Sequence, residues 1–581
     1  MKWQVRPKAP SAFFKQFPEF SSLIVQLLYN RDLKTQKQID EFFNSDFQTD
    51  IHDPFLLKEM DKAVKRIKEA IEKQDKITVY GDFDADGICS SAIIYLTLKE
   101  LGIKNINTYI PNREEENHGL NNKSIKYLAK NGTKLIITVD CASSDSEEID
   151  LANSLGVDVI ITDHHIVGKK VPNAVALVNP WQKGDKYPFK KLAGAGVAYK
   201  LACALLPLED PFKKWLLDLT ALATVADVMP IIGENRTLVK YGLGVLAQTK
   251  WLGLKELMKV SNITPEIIEN PLNGKAPLTN LDVYTLGFVL GPRLNAASRV
   301  DHADGAFNLL ISNNKKEAKG LAQKINQNNS LRQSVTEKLI KEIEIILKEK
   351  FSNGEYPKII LEGNPNWPVG LIGLMAGKIA DKYGCPTIVY NQKGNLINAS
   401  CRSIPQFNLI KAFDKCADLF IDYGGHKAAA GFMMKKSKLD QFKNIFYKLI
   451  EKELKDQDLT PVLKIDAELF LEDINWSNYD KIQMFAPFGK DNHSPKFLTK
   501  NLEIFNLRTV GNGNKHLKIE LIIFGKEGKA KKFNAIAFGL GDKEPLLKKG
   551  NLINIVFEII VNQWNGRRDL EMKIIDLKLT E

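Results

Sequence analysis

The chain has 581 residues, enough for three or four domains at about 150 residues each. Hydrophobic residues make up 44% and charged residues 26%, which excludes a disordered or fibrous protein. Lys and Arg (81) outnumber Asp and Glu (70) for a formal charge of +11, an excess that favours a polyanionic partner.

Six cysteines without a C-x-x-C pair give neither a disulfide framework nor a zinc knuckle, so oxygen and imidazole must hold any metal. No apolar run approaches the roughly 18 residues that span a bilayer, and the start, MKWQVRPKAP, lacks the apolar core of a signal peptide. A cytoplasmic protein without membrane contact is expected.

Residues 1–60 alternate short helix-like stretches (SSLIVQLLYN, TQKQIDEFFN) with polar breaks and read as a helical lead-in. Over 61–312 the pattern becomes apolar runs of strand length, ITVY, INTYI, KLIITVD and VDVIIT, separated by helix-length segments. That alternation predicts a parallel sheet covered on both faces, with ligands at the carboxyl ends of its strands. Residues 313–350 are polar and lysine-rich with few turn breakers, and predict a connector helix. A second α/β unit follows over 351–458, built from KIILEG, LIGLMAGKIADKYG and PTIVY and ending in the glycine-rich DYGGHKAAAGF. From 459 to 581 short alternating segments with glycine turns predict a small β-barrel or sandwich.

The sharpest feature is ITVYGDFDADGICSS, in which Asp82, Asp84 and Asp86 follow an apolar strand at alternate positions, just before a helix. Crowded carboxylates repel one another and lack β propensity, so the arrangement is costly without a cation. Two more strand ends carry such groups, Asp140 after LIITV and Asp163, His164 and His165 after VIIT, while Asp227 interrupts the apolar ALATVADVMP. Taken singly, each acid is an ordinary cap or turn residue. Together they predict one crevice whose oxygen and imidazole donors suit Mn²⁺ or Mg²⁺.

These motifs, in this order, resemble the DHH phosphoesterase superfamily, and GGHKAAAG resembles the DHH-associated domain that follows it. The chain is similar over nearly its whole length to the RecJ-type single-stranded-DNA exonucleases, with IPNREEENHGL, GPRLNAASR, NASCRSI and APFGKDNHSP as further matches. The resemblance implies a DHH-type catalytic domain, connector helix, DHH-associated domain and OB-like barrel. It implies 5′→3′ hydrolysis of single strands to 5′ mononucleotides in recombination and repair, with two divalent ions activating water and stabilising the leaving oxygen.

Asp140 would bridge the ions, Asp84 and Asp86 would be divided between them, and His164 and Asp227 would complete the second site. Asp82 is also expected to bind metal, and His165 to take part in catalysis. Arg113, Arg299, Ser400 and Arg402 match positions that hold a terminal 5′ phosphate, which guanidinium forks suit. His426 would contact the scissile phosphate. Phe497, Phe505 and Trp564 could stack on bases in the barrel, but an aromatic at such a position is more often a core residue.

Implied partners are single-stranded DNA, single-strand-binding protein and a RecQ-type helicase, with the chain a monomer. Departures from the family pattern are Pro368 where a histidine is usual, His118 where a tyrosine is usual, and Asp491 and His493 for a glycine and a proline. The alternatives are another DHH phosphodiesterase cutting short oligonucleotides or cyclic dinucleotides, and a non-catalytic DNA-binding scaffold. Length and the complete set of acids argue against both.

Overall fold

The computed structural model describes all residues except 114–115, 117, 270–275, 352–357, 456, 525–529, 565–566 and 581, and the side chains of 471, 524 and 564. Two compact units result, one of residues 46–459 and one of residues 1–45 with 460–581.

In the larger unit the apolar runs form a wholly parallel five-stranded sheet from β1 (Lys76–Gly81), β2 (Ile106–Tyr109), β3 (Thr133–Val139), β4 (Asp158–Thr162) and β5 (Ala176–Val178), in the order β2-β1-β3-β4-β5. Ile77, Val79, Ile136, Ile137 and Ile160 are all buried, because helices cover both faces and leave no polar side for alternation to mark. Helix α1 (Ala85–Glu100) follows β1, and α2 (Gly194–Leu205) and α3 (Leu217–Ala226) pack beside it. Further on, α4 (Gly291–Val300) and the 36-residue connector α5 (Lys315–Lys350) lead out of this layer. Asn314 caps α5 by accepting from the backbone N–H groups of Lys316 and Glu317.

The second sheet holds β6 (Ile360–Gly363), β7 (Thr387–Lys393), β8 (Leu396–Arg402), β9 (Phe420–Gly425) and β10 (Ala429–Lys435), in the order β9-β10-β8-β7-β6. Only β6 and β7 run parallel, joined by α6 (Val369–Tyr383). Its core is rich in phenylalanine, including Phe407, Phe413, Phe442 and Phe446.

In the smaller unit β11 (Phe497–Val510), β12 (His516–Phe524), β13 (Ala530–Ala537), β14 (Leu552–Trp564) and β15 (Arg567–Leu579) close into a barrel. The pairings run β11-β12-β13-β15-β14 and return from β14 to β11, the five-stranded closure of an OB fold. Residues 1–45 are not helical throughout, since Lys2–Val5 is a strand paired in parallel with Val462–Ile465. The helix Ser22–Asn30 sinks Leu23, Ile24, Leu27 and Leu28 into the barrel's core, each worth about 1.5–3 kcal/mol of burial. Phe497 is itself a core residue with no exposed face, contrary to a stacking role. Phe505 is half-buried beneath the Lys532 ammonium, 3.3 Å from its ring centre, while the Trp564 side chain lies outside the described residues.

Candidate metal centre and phosphate pocket

The carboxylates lie at the carboxyl ends of three adjacent strands. β1 runs into Asp82 and Asp84, β3 into Asp140, and β4 into Asp163, His164 and His165. Two helix N-termini hold the acids in place. Asp84 caps its own helix, accepting from the N–H groups of Asp86 and Gly87 at 2.9 and 3.1 Å. Asp86, buried on α1, accepts from the first N–H groups of α2, Gly194 at 2.8 Å and Ala195 at 2.7 Å. Backbone donors at helix starts favour negative charge. Asn295 of α4 accepts from the Ala85 N–H at 2.8 Å and ties that turn to the neighbouring helix.

Ligand atoms converge in three overlapping sets among the described residues: Asp82, Asp84 and Asp140; Asp86, His164 and Asp227; and Asp140, His164 and His165. Asp140 and His164 each belong to two sets, so the cluster is continuous. Asp140 has φ +62°, a left-handed conformation outside the strand that aims its carboxylate into the crevice. A Cβ on Gly194 would lie 2.5 Å from Asp140 Oδ1, so glycine there makes room for the acid. Val228, immediately after Asp227, has φ +55°, unusual for a β-branched residue.

The side chains fit a divalent cation. Asp140 Oδ1 is buried and makes no hydrogen bond among the described residues, which is costly for a charged oxygen. Burial first, and then Asp86, Asp84, Asp82 and Asp227, push the Asp140 carboxyl well above its ordinary range. Burial together with Asp82 and Asp86 lifts Asp84 to about 6.

His164 Nδ1 lies 3.0 Å from the Leu192 carbonyl, which can only accept. Nδ1 therefore carries the proton, and the Nε2 lone pair faces Asp140 at 3.1 Å and Asp86 and Asp227 at 3.7 Å. Burial lowers the His164 pKa further, keeping the ring neutral. A lone pair among carboxylates is repulsive until a cation enters, and hard oxygens with imidazole and no thiolate suit Mn²⁺ or Mg²⁺.

Asp163 falls outside the three sets. It accepts from the His164 and His165 N–H groups at 2.7 and 3.1 Å, from Ser143 N–H at 3.1 Å and from His165 Nδ1 at 2.8 Å. Burial opposes its charge, but these donors and the His165 charge hold it below the usual carboxylate range. Burial likewise opposes charge on His165, yet the Asp163 contact raises it to about 9. His118 Nδ1 lies 3.3 Å from Asp82 Oδ1, with its ring tilted over Phe83.

A second, cationic cluster lies where α4, α5, α6 and β8 meet. Arg299 Nη1 donates to the Gly370 carbonyl at 2.7 Å, while its buried Nε has no partner among the described residues. Burial, then Arg113, Arg332 and Arg402, pull its pKa down to about 9. Arg113 lies over the Phe83 ring at 4.6 Å. Arg402 donates to the Cys401 carbonyl at 2.9 Å. A Cβ on Gly373 of α6 would come 2.9 Å from Ser400 Oγ and 3.7 Å from Arg402 Nη2. A desolvated guanidinium crowded by others of its own sign favours an anion.

Arg332 of α5, whose Nε is also partnerless among the described residues, carries no sequence signal because it is one of many cationic side chains along that helix. Gly194 and Asn295 also escape sequence reasoning, although LAGAGVAYK opens on the small residues that a close helix start requires. His426 sits exposed at the β9–β10 turn, its N–H donating to the Ala429 carbonyl at 2.7 Å, and belongs to none of the three ligand sets.

Family models match the chain in the same order as these layers: the DHH family N-terminal domain over residues 76–224, the DHHA1 domain over 356–452 and the RecJ OB domain over 465–576. The chain is 34% identical over 589 aligned positions to the single-stranded-DNA-specific exonuclease RecJ of Bacillus subtilis (strain 168), covering 100% of this chain and 71% of the relative. It matches RecJ in complex with Mn²⁺ from Thermus thermophilus with a TM-score of 0.80 and 26% identity, covering 100% of this chain and 80% of that one. The corresponding Mg²⁺ complex gives a TM-score of 0.75 and 25% identity, covering 100% and 79%. With the strand-end acids, the arginine-lined second layer and the closed barrel all in this order, the chain belongs to the RecJ family of single-stranded-DNA-specific exonucleases.

Proposed function

We propose that this chain hydrolyses single-stranded DNA from its 5′ end and releases 5′ mononucleotides. The observation that carries the reading is the set Asp82, Asp84, Asp86, Asp140, His164 and Asp227 with an Asp140 oxygen that has no hydrogen-bond partner among the described residues, in the same unit as a cluster of arginines around the desolvated Arg299. These six side chains would hold Mn²⁺ or Mg²⁺, which would supply Lewis acidity and ease the deprotonation of a water that attacks the phosphodiester.

The chain's own groups do the rest. Asp140 and His164, shared between ligand sets, keep the two halves of the site in one geometry. Asp163 fixes the His164 backbone and the His165 ring, and His165 is placed to carry a proton beside the cluster. Arg113, Arg299, Ser400 and Arg402 anchor a terminal phosphate by charge-assisted hydrogen bonds, and that anchor gives the strand a direction, since the acids alone treat any phosphodiester alike. His426 reaches the substrate from the second sheet.

Blunt duplexes are spared until a RecQ-type helicase opens them, and single-strand-binding protein presents the product strands, in recombination and repair. The chain works as a monomer in the cytosol, where its six unpaired cysteines stay reduced. No helix among the described residues is long and apolar enough to cross a membrane. The domains divide at 1–60, 61–312, 313–350, 351–458 and 459–581, except that 1–45 pack with the last of these.

The test is purified protein with Mn²⁺ on single-stranded and blunt duplex DNA labelled at either end. Release of the 5′ label first, from single strands alone, and its loss in Asp140→Ala support the reading. Equal rates on duplex, early release of the 3′ label, or full activity in EDTA overturn it.

A further inference from the structure

The residues just before α4 form a feature that the metal centre and the phosphate pocket leave unused. Tyr284 and Phe288, one helical turn apart, are 63% and 71% exposed, while Leu286 and Leu290 beside them are completely buried. The two rings stack on each other, centroids 5.2 Å apart and planes 16° from parallel. Thr285–Leu290 is π-helical and runs without a break into α4. An insertion of this kind re-aims side chains and recurs at functional sites.

Two glycines press this segment onto α3. A Cβ on Gly287 would sit 3.0 Å from Val225 Cγ1, and one on Gly291 3.0 Å from Ala226 Cβ. Since Asp227 directly follows α3, the segment that carries the aromatic pair packs against the helix leading into that acid. Continuing along α4 come Arg293, near enough to Arg332 to depress its pKa after burial itself, then Asn295 under the Asp84 turn, then Arg299. One continuous helix thus presents flat apolar faces, then cations, then the phosphate anchor.

From this geometry we infer that Tyr284 and Phe288 form a base-stacking platform for the single strand beside the metal centre, with a nucleobase extending the ring stack. The inference rests on the reading of the chain as a single-strand nuclease and adds a sequence-tolerant contact to it. Unstacked bases offer a π-face whatever their identity, and stacking on an aromatic side chain is favourable for each of them. The neighbouring guanidiniums suit the phosphates of the same strand, which argues for a nucleic acid over an acidic or apolar peptide tail.

The test measures binding of fluorescein-labelled oligothymidylate to the full chain in EDTA by anisotropy, alongside the same strand made of abasic residues. Tyr284→Ala/Phe288→Ala should weaken binding of oligothymidylate about 10-fold. The penalty for removing the bases should be smaller in the variant by that same factor. Phe288→Trp should retain affinity. Both replaced side chains are largely exposed, and an unchanged circular dichroism spectrum excludes misfolding as the cause. Unchanged affinity in the double variant, or an equal loss on intact and abasic strands, overturns the platform. Wild-type protein that binds oligothymidylate with this pattern but cleaves nothing with Mn²⁺ keeps the platform and refutes the hydrolytic function instead.

Discussion

The acidic cluster should destabilise the protein when metal is stripped away, and Asp84→Asn isolates that cost. In the metal-free fold, burial and the charges of Asp82 and Asp86 raise the Asp84 pKa from 3.8 to about 6. Between those values the folded chain holds a proton that the unfolded chain has released, so stability falls as pH rises through the window. At about 1.36 kcal/mol per pKa unit the loss reaches roughly 3 kcal/mol above about pH 6.

Asparagine removes the charge yet keeps an oxygen to accept from the Asp86 and Gly87 N–H groups, and it is an equally good N-cap. EDTA-treated Asp84→Asn should therefore be more stable than wild type at about pH 8, by up to roughly 3 kcal/mol, with the gain shrinking toward zero near about pH 4. Adding Mn²⁺ should reverse the order, because wild type gains a ligand charge that the variant lacks. Thermal unfolding followed by circular dichroism across pH, with and without Mn²⁺, reads both effects. A metal-free variant less stable than wild type at about pH 8, or a gain independent of pH, would refute the argument that these carboxylates repel one another in a site built for a cation.

Gly194→Ala places a Cβ 2.5 Å from Asp140 Oδ1; the overpacking should cost about 1–3 kcal/mol and displace the acid, so Mn²⁺ affinity measured by calorimetry should fall with the fold retained. Arg402→Ala removes one charged donor, worth about 1.5–3 kcal/mol, and should slow cleavage of 5′-phosphorylated single strands about 10- to 100-fold while leaving 5′-hydroxyl strands little changed. Equal loss on both substrates would remove Arg402 from the terminal-phosphate anchor.

The clustered acids of the candidate metal centre are legible in the sequence because they break a rule. Carboxylates immediately after ITVY, LIITV and VIIT stand where the run of buried apolar residues predicts more of the same, and only a ligand explains so many at once. The parallel sheet is legible for the converse reason, since its strands are apolar on both faces. Residues 1–60 read as a separate lead-in because SLIVQLLYN announces a buried helix without naming the core it enters. That core is the barrel, whose strands begin more than four hundred residues later. Phe497 is ambiguous for a related reason: an aromatic at a strand start looks the same in sequence whether it faces solvent or the inside of a closed barrel.

What sequence does not supply is the second layer around each functional group. Asp86 is held by two N–H groups from residues 194 and 195, and backbone donors leave no mark in the identity of a side chain except where space forbids one, as at Gly194. The same holds for the Leu192 carbonyl, which fixes the His164 tautomer and turns Nε2 toward the acids. Arg332 is hidden among the many cations of α5, and only its desolvation beside Arg293 and Arg299 separates it from a solvated surface arginine. Side-chain chemistry that defies its local pattern is therefore readable from sequence, whereas the backbone groups and close helix approaches that orient it are fixed by tertiary packing and become visible only in the fold.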